Sequence, residues 1–270
     1  MEFYKYHGTG NDFILMKSPG EYTMEELSKT VCHRRFGVGA DGLMVPENSS
    51  LADIKMVYHN SDGSFATMCG NGLRCFARFV YEEDLVDKTS FTVETGDGIK
   101  EVSLNVEAGY VTSVKVKMSH EALEIEGHAF DLGRYQYKGE FLHLGVPHLV
   151  VPVESLAEKE LLTNGPIMEK APCFEQGTNV NFVRVIHEES IKVDTWERGA
   201  GHTYACGTGC CASVYALHKK GVLKKKVEVQ VKGGLLEIEV LADDTVYMTG
   251  PAIKICKGDY LAAIDAPFML

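Results

Sequence analysis

Two short phrases in this chain carry reactive groups in nearly the same words. "MCGNGLRC" spans residues 68–75 and "ACGTGCC" spans 205–211. Each sets a cysteine before a glycine, with a second glycine two residues further on. A thiol at the first turn of a helix lies beside backbone N–H groups that have no helical acceptor, at the positive end of the helix dipole. Both effects favour thiolate and lower the thiol pKa. The glycines let a ligand approach the backbone, and the remaining N–H groups suit a carboxylate or a developing oxyanion. Cys69 and Cys206 are therefore the candidate reactive thiols. One thiolate can take a proton from a carbon while the other thiol delivers one to the opposite face, which inverts a stereocentre. Two matched groups of interchangeable protonation state suit a reaction that runs both ways. The α-proton of an amino acid is very weakly acidic, so such a site must be dry and its oxyanion donors preset.

The phrases belong to a longer internal repeat. "CGNGLRCFARFVYEEDLVDKTSFTVETGDG" begins at Cys69 and "CGTGCCASVYALHKKGVLKKKVEVQVKGG" begins at Cys206. Each runs from C-G-x-G through a helical stretch and a turn to an alternating strand that ends in glycine. Leu73, Phe76, Ala77 and Val80 recur at helical spacing in the first copy, and Cys210, Val214 and Leu217 in the second. Asn60 precedes its cysteine by nine residues, as Glu197 precedes the other. Cys75, Cys210 and Cys211 fall inside the helices as packing residues. Cys32, Cys173 and Cys256 have no supporting pattern.

Around the repeat the chain reads as many short strands and few helices. "MEELSKTVCHRR" (24–35) predicts a helix. "IKMVYH" (54–59), "KEVSLNV" (100–106), "YVTSVKVKM" (110–118), "NVNFVRVI" (179–186) and "LLEIEVL" (235–241) alternate as strands do. The expected fold is α+β, in two pseudo-symmetric domains, each a curved, mostly antiparallel sheet wrapped around a central helix. Residues 1–118 form the half with Cys69, to which 251–270 returns, and 119–250 form the half with Cys206. The active site is expected in the cleft between the halves, a favoured place for ligands.

Composition narrows the class. The 270 residues are 45% hydrophobic and 24% charged, ordinary for a soluble globular protein, and the net charge of −11 argues mildly against a nucleic-acid partner. A small zwitterionic ligand needs only a local positive site. "KKGVLKKK" (219–226) reads as a solvated helix end. No apolar run approaches membrane-spanning length, and the N-terminal residues carry no signal-peptide pattern, so the expectation is a cytoplasmic protein with reduced thiols. No C-x-x-C occurs among the eight cysteines, which speaks against a thiol-rich metal or redox protein. "GVGADG" (37–42) is a literal G-x-G-x-x-G. A dinucleotide fingerprint needs a strand before it and a helix after it. A charged helical stretch precedes this one and "LMVP" follows, so it reads as a tight loop.

"YHGTGNDF", "GVGADG", "NSDGS", "MCGNGLRCFARF", "GTNVNFV", "ERGAG", "ACGTG" and "MTGPA" occur in this order over essentially the whole chain. Together they resemble the diaminopimelate epimerase family of PLP-independent isomerases. The resemblance implies interconversion of LL- and meso-diaminopimelate in the lysine and peptidoglycan pathway, without metal or organic cofactor, in a family where homodimers are common. It implies that Cys69 and Cys206 are the acid/base thiols. Asn11 and the turns Gly70 with Asn71 and Gly207 with Thr208 would hold the reacting amino-carboxylate end. Asn60, Asn179, Glu197 and Arg198 would grip the distal one, a guanidinium suiting a carboxylate and a carboxylate an ammonium. His148 and Glu197 match positions that tune the cysteines.

Three positions depart from the common family pattern. Val146 stands where Asn is frequent, Phe65 where Glu is frequent, and His202 where Glu is frequent. An aromatic and a histidine near the site would suit a relative that racemises another amino acid, such as histidine. The retained Asn60, Asn179, Glu197 and Arg198 favour diaminopimelate, because a site built for a second polar end leaves unpaired groups when that end is missing.

Overall fold

The computed structural model describes residues 1–119, 121–155 and 157–261. The chain divides into two compact units, Met1–Val116 with the C-terminal segment from Pro251, and Lys117–Gly250. In the first unit the elements run β1 (Glu2–Gly8), β2 (Asn11–Leu15), α1 (Met24–Val31), β3 (Gly42–Glu47), β4 (Ile54–Asn60), α2 (Gly70–Glu82), β5 (Ser90–Thr95), β6 (Gly98–Glu107) and β7 (Tyr110–Ser119). In the second they run β8 (Glu126–Leu132), β9 (Tyr135–Leu144), β10 (Val146–Pro152), α3 (Glu158–Glu169), β11 (Asn179–His187), β12 (Ser190–Glu197), β13 (Gly201–His202), α4 (Gly207–Lys219), β14 (Lys226–Val231), β15 (Gly234–Val240) and β16 (Val246–Gly250). The last strand, β17 (Ile253–Asp259), pairs with β1.

The units repeat one topology. In the first, β17, β1, β2, β3, β4, β5, β6 and β7 pair in that order, antiparallel except for β2 with β3 and β4 with β5. In the second, β8, β9, β10, β11, β12, β14, β15 and β16 pair in that order, antiparallel except for β10 with β11 and β12 with β14. β17 thus takes in the first unit the place that β8 takes in the second. The class is α+β and sheet-dominated. The offset is constant: 137 residues separate Cys69 from Cys206, Asn11 from His148 and Asn60 from Glu197.

Among the described residues each unit carries two helices. α2 and α4 are 13 residues long and buried along almost their whole length. α1 and α3 are shorter flanking helices whose cores are separate: Leu27 and Val31 pack with Ile14, Met16, Leu43 and Val45, and Leu161 and Met168 with Leu149, Val151, Val180 and Phe182.

The helix expected over 24–35 ends four residues early. It starts on a capping box between Thr23 and Glu26, but after Val31 the chain folds back. Val38 and Gly39 donate to Val31 O, and the His33 ring accepts from the N–H groups of Arg35 and Phe36. α3, β8 and β17 have no counterpart in the sequence reading. α3 runs through Gly165 and Pro166, both poor helix formers. A Cβ on Gly165 would lie 2.8 Å from Trp196, so the glycine admits the helix to the sheet. Residues 262–270, part of the C-terminal return, lie outside the described residues.

Candidate active site

Both cysteines of the repeated phrase are helix N-caps. Cys69 caps α2 and Cys206 caps α4, each with extended backbone dihedrals. The second glycine of each C-G-x-G has the same physical cause. A Cβ on Gly72 would lie 2.1 Å from Met44 Cε, and one on Gly209 would lie 2.1 Å from Asn181 Oδ1. Met44 and Asn181 are themselves 137 residues apart. In each unit the first turn of the central helix is pressed against the third strand of the repeat, and only glycine permits that approach.

In the first unit Cys69 is half-buried, and its Sγ donates to Asn11 Oδ1 at 3.4 Å. Asn71 Nδ2 donates to the same oxygen at 3.4 Å. Asn11 is reached through a tight turn in which Thr9 and Gly10 take positive φ. Beneath the turn lies Arg74, fully buried, whose guanidinium donates to Gly70 O, Asn71 Oδ1, Thr9 Oγ1 and Pro251 O at 3.0–3.4 Å. The expected Asn11, Gly70 and Asn71 therefore share one hydrogen-bonded group with Cys69. The bonds described for Asn60 serve a different purpose: its amide donates to Ser64 Oγ and accepts from Tyr58 O–H, holding the turn after β4.

In the second unit Cys206 is 7% exposed. Its sulfur accepts from Gly209 N at 3.4 Å and lies 3.5 Å from Thr208 Oγ1. Here the expectation of a lowered pKa is overturned. Burial pushes this thiol well above its ordinary value, and the carboxylate of Glu197 adds to the effect, against the smaller opposing pull of the Thr208 hydroxyl and Gly209 N–H. Desolvation of the thiolate outweighs the helix terminus, so the resting group is a thiol.

His148, Asn179 and Asn181 lie side by side on the face of β10 and β11 toward α4. Strand alternation puts Leu149, Val151, Val180 and Phe182 on the opposite face, against α3. His148 is fully buried, and its pKa is depressed to about 3 by burial first, then by His143 and Arg198. It is a neutral imidazole. Asn181 defines the tautomer: its Nδ2 donates to the Leu149 carbonyl at 3.3 Å, which can only accept, so the same NH2 group donates to His148 Nδ1 at 3.2 Å and the ring proton sits on Nε2, while Asn181 Oδ1 accepts from Thr195 Oγ1 at 3.0 Å. His148 Nε2 is buried and meets no hydrogen-bond partner among the described residues. Asn179 accepts from the Arg198 N–H and donates to Pro147 O, while Glu197 accepts from Thr203 Oγ1 at 2.6 Å. Arg198 also donates to Gln176 O.

Of the three departures from the common pattern, His202 faces away from this group. His202 lies 3.7 Å from Glu158 at the start of α3 and 4.0 Å from Asp194. Asp194 and Trp196 share the α3 face of β12, whereas Thr195 and Glu197 share the other. The histidine expected near the site thus lies on the α3 side of the sheet, where strand alternation turns it away from Thr195 and Glu197. Phe65 is largely exposed, edge-on to His59 and against Gly96. Val146 pairs with Leu144 in the hairpin of β9 and β10.

Arg74, Asp41, Asn181 and Thr195 escaped the sequence reading. A signal exists for two of them: Arg74 falls among the apolar helical positions Leu73, Phe76 and Ala77, and Asn181 is the second of two asparagines spaced by two in the buried strand "NVNFV". Among the described residues no group of three or more His, Cys, Asp or Glu is arranged to hold a metal ion, and no helix is long and apolar enough to cross a membrane.

Comparison with known proteins places the chain among relatives. The sequence pattern of one family, diaminopimelate epimerase, matches residues 3–122 and 141–255. A diaminopimelate epimerase of Alkaliphilus metalliredigens is 44% identical over 98% of this chain and 99% of its own. That of Clostridium perfringens is 45% identical over 97% of this chain and 100% of its own. Among solved structures, a hydroxyproline epimerase of Agrobacterium vitis, with bound trans-4-hydroxy-L-proline, superposes with a TM-score of 0.74. It is 15% identical and covers 99% of this chain and 93% of its own. A phenazine biosynthesis protein of Bacillus anthracis gives a TM-score of 0.73 at 16% identity, covering 97% and 99%. These two share the fold.

Proposed function

The chain belongs to the diaminopimelate epimerase family, and from that premise we propose that Cys69 and Cys206 are the two thiols that move the α-proton between LL- and meso-diaminopimelate. The activity is that of a cofactor-independent isomerase acting on a small amino acid. The observation that carries the assignment of residues is the duplicated N-cap: two thiols, at equivalent places in two equivalent units, each at the start of a buried helix. One thiolate removes the α-proton and the other thiol supplies a proton to the opposite face. The first ends as a thiol and the second as a thiolate, the form that serves the reverse direction, and proton exchange with solvent restores the starting form.

Each half-site supports its thiol in its own way. At Cys206 the Gly209 N–H and the Thr208 hydroxyl receive the thiolate once it forms. Glu197 opposes it, and a substrate ammonium seated on that carboxylate offsets its charge. Substrate binding then releases the block on ionisation. His148 stays neutral and offers its Nε2–H as a donor. At Cys69 the Asn11 carbonyl accepts from the thiol and suits the α-ammonium of the substrate. The N–H groups of Gly70, Asn71, Gly207 and Thr208 receive the carboxylate as charge develops on it. Asn60, Asn179 and Arg198 take the distal end. The proposal includes a cytoplasmic enzyme.

Incubation of LL-diaminopimelate with the chain in deuterium oxide tests this. The expected product is meso-diaminopimelate with one deuterium at one α-carbon, and its loss in both Cys69→Ala and Cys206→Ala. Full activity in both variants refutes the assignment of the thiols. Turnover of histidine without turnover of diaminopimelate refutes the substrate.

A further inference from the structure

The glycine-rich loop 37–42 is no nucleotide site, and the reaction above gives it no task. The structure gives it one. The loop ends in Asp41, whose Oδ2 accepts from Asn11 Nδ2 at 2.6 Å. We propose that Asp41 is a positioning residue which, with Arg74 acting from the other side, locks the Asn11 amide in the orientation that presents its carbonyl oxygen to Cys69.

The two ends of a carboxamide have nearly the same shape, so its neighbours decide which way it points. Here both deciding groups have a single sense. A carboxylate only accepts and a guanidinium only donates. Because Asp41 accepts, the end of Asn11 facing it is the NH2. Asp41 is itself pinned. Its Oδ2 also takes the Asp12 N–H, its Oδ1 takes Arg34 Nη2 at 2.6 Å, and its own N–H donates to Asp12 O at 2.8 Å. Arg34 grips Asp12 through two nitrogens, and Lys5 binds Asp12 in turn.

The second side is oriented from Arg74. Arg74 Nη2 and Thr9 Oγ1 both donate to Asn71 Oδ1, at 3.0 and 3.3 Å. Asn71 must then turn its NH2 outward, where it donates to Asn11 Oδ1. Space is tight enough to hold this arrangement: a Cβ on Gly8 would lie 2.9 Å from Asn71 O and 3.0 Å from Arg74 Nη2. The outcome is one carbonyl oxygen held against Cys69 Sγ. A carbonyl there favours the S–H form, and a flipped amide, offering N–H, favours thiolate. The same oxygen is the acceptor assigned above to the substrate's α-ammonium, and this second consequence rests on the proposed function.

Asp41→Asn keeps the shape and removes the single sense, since an amide both donates and accepts. The side chain is partly exposed, so the change spares the core. In the full-length Cys206→Ala chain, the rate of Cys69 alkylation by iodoacetamide is followed against pH by mass spectrometry. Asp41→Asn is expected to move the midpoint down by about one pH unit. In the chain with both cysteines, kcat/KM for diaminopimelate is expected to fall about tenfold, mostly through KM. Arg34→Gln, which frees Asp41 without touching Asn11, should move the midpoint the same way by less. An unmoved midpoint in Asp41→Asn overturns the inference, whatever the activity does. A moved midpoint in a chain that does not epimerise diaminopimelate supports the positioning and refutes the proposed function instead.

Discussion

Acid should weaken the second unit through one buried ring, and by an amount that can be worked in advance. His148 has an ordinary pKa of 6.5 when the chain is unfolded and about 3 when folded. Between those values the unfolded state binds a proton that the folded state refuses. Stability therefore rises with pH through this window, is fully present above 6.5, and is lost as the pH falls. Between pH 7 and pH 5 the loss from this group is about 1.9 kcal/mol, from RT ln of the ratio of unfolded binding terms. That figure depends on the unfolded value alone once the folded value lies below about 4, so it does not hinge on how far burial depresses the ring. The assay is urea unfolding at pH 7 and pH 5, followed by tryptophan fluorescence. Trp196 is the only tryptophan in the sequence and sits in the second unit, bonded to Glu169. The control is His148→Gln, whose side-chain oxygen can still accept from Asn181 but does not titrate. The wild-type chain should lose about 2 kcal/mol more than the variant over this interval. Equal losses would mean that His148 takes up its proton while folded, and the burial argument would be wrong.

Other outcomes follow from the same geometry. Gly209→Ala should cost about 2–4 kcal/mol and most of the activity, because the new Cβ meets Asn181 Oδ1, which Thr195 holds in place. Gly72→Ala, which meets only the flexible end of Met44, should be milder; thermal melts of the two variants check the ranking. Arg74→Met should destabilise the first unit by about 3 kcal/mol or more, since buried acceptors at Gly70, Asn71, Thr9 and Pro251 lose their donor; chemical denaturation reads it. Thiol labelling at pH 8 of the native chain should reach the exposed Cys173 and Cys256 quickly. Cys32 and Cys75, both held at about 12 by burial, should stay unlabelled until the chain unfolds; peptide mapping distinguishes them.

The elements most legible in the sequence are those whose signal is local. Both central helices begin at the cysteine of C-G-x-G, and the strands over 90–95 and 226–231 alternate as the pattern implies, whereas that over 179–187 is buried on both faces for its first five residues. Elements decided by distant partners were not legible. α3 contains Gly165 and Pro166, both poor helix formers, and the glycine is explained only by Trp196, which leaves no room for a Cβ there. β17 carries an unremarkable mixture, "IKICKGD", and becomes a strand because β1 offers it an edge. The helix over 24–35 was too long because the backbone after Val31 finds acceptors in its own turn.

The sequence by itself determined Cys69 and Cys206 as a matched pair and the helix starts that carry them, because a repeated local motif needs no knowledge of what surrounds it. It also carried the family, through an ordered set of motifs. Tertiary structure alone decided how each thiol is tuned. Cys69 and Cys206 begin with the same local design, yet one donates to the Asn11 carbonyl while the other lies buried beside Glu197 and is pushed up in pKa. It also turned His202 toward Asp194 and Glu158, away from His148, and made a loop resembling a nucleotide fingerprint into the clamp of Asn11. The physical reason is the same throughout. Propensity and dipole act within a turn of chain, whereas desolvation, amide orientation and the face a strand presents are set by neighbours far away in sequence.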